Sequence, residues 1–184
     1  MNTYIAFLRG INVSGQKKIK MADLKQSLLK VGLKNVQTYI QSGNIVFDTA
    51  VEDIEEIGGL IEKVIHDDFE FDVPVTIKTS QEIREILNTN PFYGNADPKG
   101  LYFALLVTPP SQDLAASFQQ LEFEHEDFQY TDACVYLHCK KGAGRAKLNN
   151  NLIENKLKVT ATTRNLNTMR KMVELAAINS TPKS

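Results

Sequence analysis

Apolar positions along the chain switch between two periods, and the switches mark out the elements. Tyr4-Ile5-Ala6-Phe7-Leu8 is a continuous apolar run of strand length, expected to be central in its sheet or covered on both faces. A loop from Arg9 to Lys20 follows, carrying Gly10, Asn12, Gly15 and three lysines. From Met21 the period becomes helical, with Leu24, Leu28 and Val31 on one face and Gly32 placed for a left-handed cap. Val36 to Gln41 and Asn44 to Asp48 read as strands around a turn at Ser42-Gly43. A helix is predicted from Val51 to Asp68 on the stripe Ile54, Ile57, Ile61, Val64 and Ile65. Its Gly58-Gly59 pair predicts a bend or a close neighbour, since each glycine costs about 1 kcal/mol against alanine in a helix. Val73 to Lys78 closes the set as a strand. The order β-α-β-β-α-β is that of a ferredoxin-like module, with two helices on one face of a four-stranded antiparallel sheet.

The second half repeats the plan. Ser80 is placed to cap a helix carrying Ile83, Ile86 and Leu87, and a stretch rich in Asn, Pro and Gly runs from Asn88 to Gly100. Leu101 to Val107 is another apolar strand, broken by Pro109-Pro110, and Ser111 caps a helix with Leu114, Phe118 and Leu121. Phe128 to Thr131 and Cys134 to Cys139 form a hairpin about Asp132-Ala133. The basic loop KKGAGRAK, Lys140 to Lys147, leads to a helix with Leu148, Leu152, Ile153 and Leu157. A last helix starts near Asn165, and Asn179 to Ser184 are expected to fray. The fold class expected is therefore α+β: two ferredoxin-like modules with antiparallel sheets, the second lacking its last strand and ending in extra helices. The boundaries expected are 1–79 for the first module, 80–100 for a helix and linker, and 101–184 for the second.

Whole-chain composition changes this picture little. A hydrophobic share of 42% provides a core, and a net charge of −1 gives no overall basic footprint for nucleic acid. No apolar run is long enough to cross a bilayer, and Arg9 and Asn12 interrupt the early apolar run that a signal peptide would need. Cys134 and Cys139 lie five apart in one strand, on opposite faces, so they are expected as free buried thiols in a cytoplasmic protein.

Charge is segregated. Residues 9–34 carry a local net of +6, 48–72 a net of −9, 113–132 a net of −6 and 140–171 a net of +8. The plain reading is a set of solvated helix faces; the functional one is that the two basic blocks form an anion site. The topology brings the first strand's exit loop to the same sheet end as the first hairpin. That puts Arg9, Asn12 and Lys17 near Gln41, Ser42 and Asn44, with Arg145, Lys147 and Arg164 in the second basic block. The plain alternative is that Asn12, Ser42 and Asn44 only satisfy turn backbone.

Known motifs are approached and missed. GINVSGQK at Gly10 to Lys17 has Gln16 where a phosphate-binding loop needs lysine, and no hydroxyl for magnesium. Gly142-Ala143-Gly144 opens like a dinucleotide fingerprint, but Lys147 stands at the third glycine. Cys134 and His138 share a strand face without a second ligand pair, so no metal site is expected. No cofactor is implied.

The words FLRGINVSGQKKIKM, YIQSGNIVF, KLNNNLIENKLKV and TATTRNLNT together resemble a mostly bacterial family designated domain of unknown function 1697. The resemblance implies a two-module ferredoxin-like architecture and no activity, cofactor or catalytic residue. Ser14 stands where the family often has glycine, and Leu166 where it often has tryptophan. The functional expectation is a binding protein for an anionic ligand: a phosphorylated metabolite, nucleotide or RNA segment held by the basic glycine loops. The alternatives are a small-molecule enzyme in a cleft between modules, a protein–protein adaptor, or a homodimer through the sheet edge left by the missing strand.

Overall fold

The computed structural model describes residues 1–180; residues 181–184, part of the segment expected to fray, lie outside them. The described residues are α+β, with two four-stranded antiparallel sheets and six α-helices. It divides into two compact units, 1–84 with 170–180, and Glu85–Met169. The divisions fall inside helices.

The first unit contains β1 (Asn2–Leu8), α1 (Met21–Lys30), β2 (Lys34–Tyr39), β3 (Asn44–Thr49), α2 (Ile54–Phe69) and β4 (Val75–Thr79), in sheet order β2-β3-β1-β4. As its apolar run predicts, β1 is central, and Ile5, Ala6, Phe7 and Leu8 are all fully buried. Alternation sends Tyr4, Ala6 and Leu8 into one core cluster with Leu24 and Leu28 of α1 and Ile57, Ile61 and Ile65 of α2. Gly32 (φ +96°) follows α1 as its left-handed cap. α2 begins three residues later than its stripe suggests, because Asp53 accepts the amides of Glu55 (2.8 Å) and Glu56 (3.4 Å). The glycine pair neither breaks this helix nor admits an unusually close neighbour. A methyl at Gly58 would meet Ile77 at an ordinary 3.8 Å, and one at Gly59 would meet nothing. The β2–β3 turn is longer than the expected two residues, spanning 40–43, so Tyr39 rather than Gln41 stands opposite Asn44.

The second unit contains the C-terminal part of α3 (Ser80–Asn88), β5 (Leu101–Leu106), α4 (Gln112–Gln119), β6 (Glu126–Tyr130), β7 (Cys134–Cys139), α5 (Asn150–Leu157), β8 (Ala161–Asn165) and the start of α6 (Leu166–Ser180). Its sheet order is β6-β7-β5-β8. Here one expectation is corrected: the last strand is present. Ala161-Thr162-Thr163-Arg164-Asn165 pairs antiparallel with β5 from Leu106↔Ala161 to Tyr102↔Asn165. The run is short and polar, but its two β-branched threonines suit a pleated edge. The edge expected to pair a homodimer is thereby filled by β8. Each unit now has the order β-α-β-β-α-β, compatible with the ferredoxin-like plan.

Two smaller corrections concern caps and ends. α3 is capped by Thr79, not Ser80: Thr79 Oγ1 accepts the Glu82 amide (3.2 Å) while a Glu82 carboxylate oxygen accepts the Thr79 amide (2.7 Å). Asn179 and Ser180 are helical, and Asn179 donates to the Asn35 carbonyl (2.9 Å). Both cysteines are free and buried, Cys139 within the helix-side core cluster and Cys134 outside it, as opposite faces require. No helix among the described residues is long and apolar enough to cross a membrane.

Candidate functional site

The β1–α1 loop and the β2–β3 turn meet at one end of the first sheet. Leu8 donates to the Gly43 carbonyl (2.8 Å), and Asn12 is the clasp. Its side-chain amide donates to the carbonyls of Ile19 (2.9 Å) and Gln41 (2.7 Å), while its oxygen accepts the Ile19 amide (2.9 Å). One side chain thus closes its own loop and ties it to the neighbouring turn. Asn44, fully buried, donates to the Tyr39 carbonyl and to Ser42 Oγ, each at 2.9 Å. Asn12, Ser42 and Asn44 therefore do the turn-satisfying work that was the plain alternative, and Gln41 contributes its backbone oxygen.

Within eight residues the loop holds five left-handed conformations: Gly10 (φ 72°), Asn12 (54°), Ser14 (50°), Gly15 (77°) and Lys17 (43°). For residues with a side chain such geometry costs roughly 1–2 kcal/mol apiece. The exposed tip residues Ser14 and Gly15 have no backbone amide partner among the described residues. Of the basic side chains, Lys17 donates to the Asp72 carbonyl, Arg9 is half-buried, and Lys18 and Lys20 are exposed. A small cavity of about 170 Å³ next to Asp72 is lined by Glu62, Val73 and Pro74 as well.

The second basic loop belongs to the other unit and holds a different topological place. It follows β7, the third strand of its sheet, whereas Arg9 to Lys20 follows the first strand of its own. Adjacent strands are antiparallel, so each loop stands at the opposite end of its sheet from the position the other takes. Arg145 and Lys147 are exposed, and the Lys147 amide donates to the buried Glu126 carboxylate (3.2 Å). Arg164 lies on β8 directly opposite Phe103, donates to the Thr163 carbonyl (2.9 Å), and has its pKa pulled down to about 10 by burial.

A polar cluster was not singled out by motif. Asp127 accepts from Lys140 Nζ (2.8 Å) through one oxygen and lies 3.2 Å from His138 Nδ1 through the other. Lys140, donating to it, is the largest cause holding the Asp127 carboxyl below its ordinary value; burial opposes this, and His138 adds to it. Gly100 leaves room for His138, since a methyl there would lie 3.2 Å from the ring. The hairpin register supplied the available signal. A turn at Asp132-Ala133 puts Asp127 opposite His138, as observed. Among the described residues no group of three or more His, Cys, Asp and Glu side chains is placed to hold a metal.

Comparison with known proteins adds family and fold. No curated protein matches. The conserved bacterial protein SP0830 from Streptococcus pneumoniae, a solved structure, is similar over 95% of this chain and 98% of its own, with a TM-score of 0.72 at 22% identity. That likeness speaks for the fold alone. The sequence model of the family described as "Protein of unknown function (DUF1697)" matches residues 1–136, ending before KLNNNLIENKLKV and TATTRNLNT. The chain belongs to this family of proteins of unknown function.

Proposed function

We propose that the protein binds an anionic ligand, a phosphorylated metabolite, nucleotide or RNA segment, at the β1–α1 loop of its first unit, and that each unit is a ferredoxin-like module. The observation that carries this reading is the strained, clasped loop. Left-handed non-glycine residues persist only where the surroundings over-determine them, and they concentrate at ligand sites. Here the clasp is Asn12, and the strain exposes the Ser14 and Gly15 amides beside Lys18. Backbone amides and nearby cations are a recurrent anion-binding combination. The residues divide by task. Asn12, Ser42 and Asn44 shape the loop; Arg9, Lys17 and Lys18 supply charge. Arg145, Lys147 and Arg164 belong to the other unit and are not needed. The free buried thiols support a cytoplasmic setting.

Titration calorimetry with inorganic pyrophosphate, ATP and a short uridine oligonucleotide tests the reading. At least one should bind, and its affinity should fall several-fold between about 50 and 200 mM salt, with the steepest fall for the oligonucleotide. Lys18→Ala should weaken binding and leave the thermal transition unmoved. Absence of binding to all three, or binding unaffected by Lys18→Ala, overturns it.

A further inference from the structure

The second sheet is bounded by two edge strands, β8 on one side and β6 on the other. The alternation of the β6–β7 ladder can be read from its ends. Lys140 donates to the His125 carbonyl, and Thr131 and Cys134 exchange both bonds. Pairs His125–Lys140, Asp127–His138, Gln129–Tyr136 and Thr131–Cys134 are then the hydrogen-bonded ones. It follows that Glu126, Phe128 and Tyr130 turn their backbone amides and carbonyls away from the sheet. Those of Phe128 and Tyr130 meet no partner among the described residues.

A groove of about 450 Å³ runs along this side. Five successive residues of β6, 126–130, line it. Successive side chains point to opposite faces, so what all five present in common is the strand's outer edge. The far wall is the end of α4 and the segment after it, with Leu121, Glu122 and Phe123. Phe123 packs on Phe128 with ring centroids 6.0 Å apart, giving the groove an apolar floor on the helix side. Asp127 and Gln129 face the other way. The surrounding stretch 113–132 has six acids and no base.

We propose that β6 is a docking edge for an extended peptide segment of a partner protein, added to the sheet as a fifth strand and alternating basic with apolar residues. The main chain of the guest would pair with the outward groups of Phe128 and Tyr130. Its apolar side chains would lie toward Phe123, Phe128 and Tyr130, and its basic ones toward the exposed rim acid Glu122, Asp127 being already paired with Lys140 and His138. A second copy of β6 is the wrong occupant, because it would set the acidic stretch against itself. This surface lies in the second unit and is independent of the anion loop.

The test uses the full chain and synthetic ten-residue peptides alternating Lys-Val or Glu-Val, with hydrogen exchange read by NMR. The Lys-Val peptide should slow exchange of the Phe128 and Tyr130 amides about tenfold or more, and the Glu-Val peptide should not. Glu122→Lys should weaken the Lys-Val peptide about fivefold, as expected for reversing one exposed charge. Tyr130→Pro should abolish binding, since it removes an outward amide and no ladder bond. If that variant unfolds, the Glu122→Lys comparison decides. Equal binding of both peptides, or protection absent at millimolar peptide, overturns the proposal. So does protection of the two amides without peptide together with concentration-dependent dimerisation in the ultracentrifuge.

Discussion

At the scale of single residues, the end of the first sheet depends on what surrounds a Cβ rather than on backbone conformation alone. Gly10 and Gly43 share a φ of +72°, but a methyl at Gly10 would meet nothing. One at Gly43 would lie 2.6 Å from Leu8 Cβ and 2.8 Å from Ile11 Cδ1. Both substitutions to alanine incur the left-handed penalty of about 1–2 kcal/mol. Only Gly43→Ala adds steric overlap in a closed core, worth another ~1–3 kcal/mol. Urea unfolding should therefore show Gly43→Ala less stable than Gly10→Ala by at least about 1 kcal/mol; equal losses would mean the turn shifts to relieve the contact. Sequence could show that Ser42-Gly43 is a turn. It could not show that the glycine lies against Leu8, because that approach comes from pairing across the sheet. The same limit applied to Asn12. Its residue type suits a ligand and a loop clasp equally, and only the position of Gln41 and Ile19 separates the two.

Elements were legible where period and length agreed. β1 and β5 read as central strands from apolar runs, and the β6–β7 register followed from its turn. β8 was missed because a five-residue edge strand of Ala, Thr, Arg and Asn carries no alternation strong enough to stand apart from the flanking helices. The Gly58-Gly59 pair suggested a constraint that packing does not impose. With open space at Gly59, Gly59→Ala should stabilise the protein by about 0.5–1 kcal/mol, measured by urea unfolding, through lost freedom in the unfolded chain. A loss of stability would reveal a neighbour that α2 needs close. The β6–β7 hairpin carries a pH-dependent tie. Asp127 titrates lower in the folded state than in the unfolded chain, chiefly through Lys140. Its contribution is therefore complete above the ordinary value of 3.8 and is lost as pH falls through the lowered one. Lys140→Gln should be less stable than the parent at neutral pH, with the gap closing below about pH 4. A gap that persists in acid would place the lysine's role in packing instead.

For the whole molecule, the charge blocks that dominate the sequence are distributed between two units, and a net charge of −1 conceals them. The two basic glycine loops follow different strands of their own sheets, and the anion reading rests on the first loop alone. The cysteines offer a direct measure of how closed the second unit is. Cys134 and Cys139 are 0% and 3% exposed, and burial pushes the Cys139 thiol up to about 11. The reactive thiolate of Cys139 is thus scarce at pH 8 even before access is considered. Alkylation with iodoacetamide then requires the unit to open, so its rate follows the opening equilibrium. In native buffer at pH 8 both thiols should react at least about a thousandfold more slowly than in concentrated urea, as expected for an opening free energy above about 4 kcal/mol. They should become reactive together across the unfolding transition. Fast labelling of one thiol in native buffer would mean that its face of the sheet opens locally.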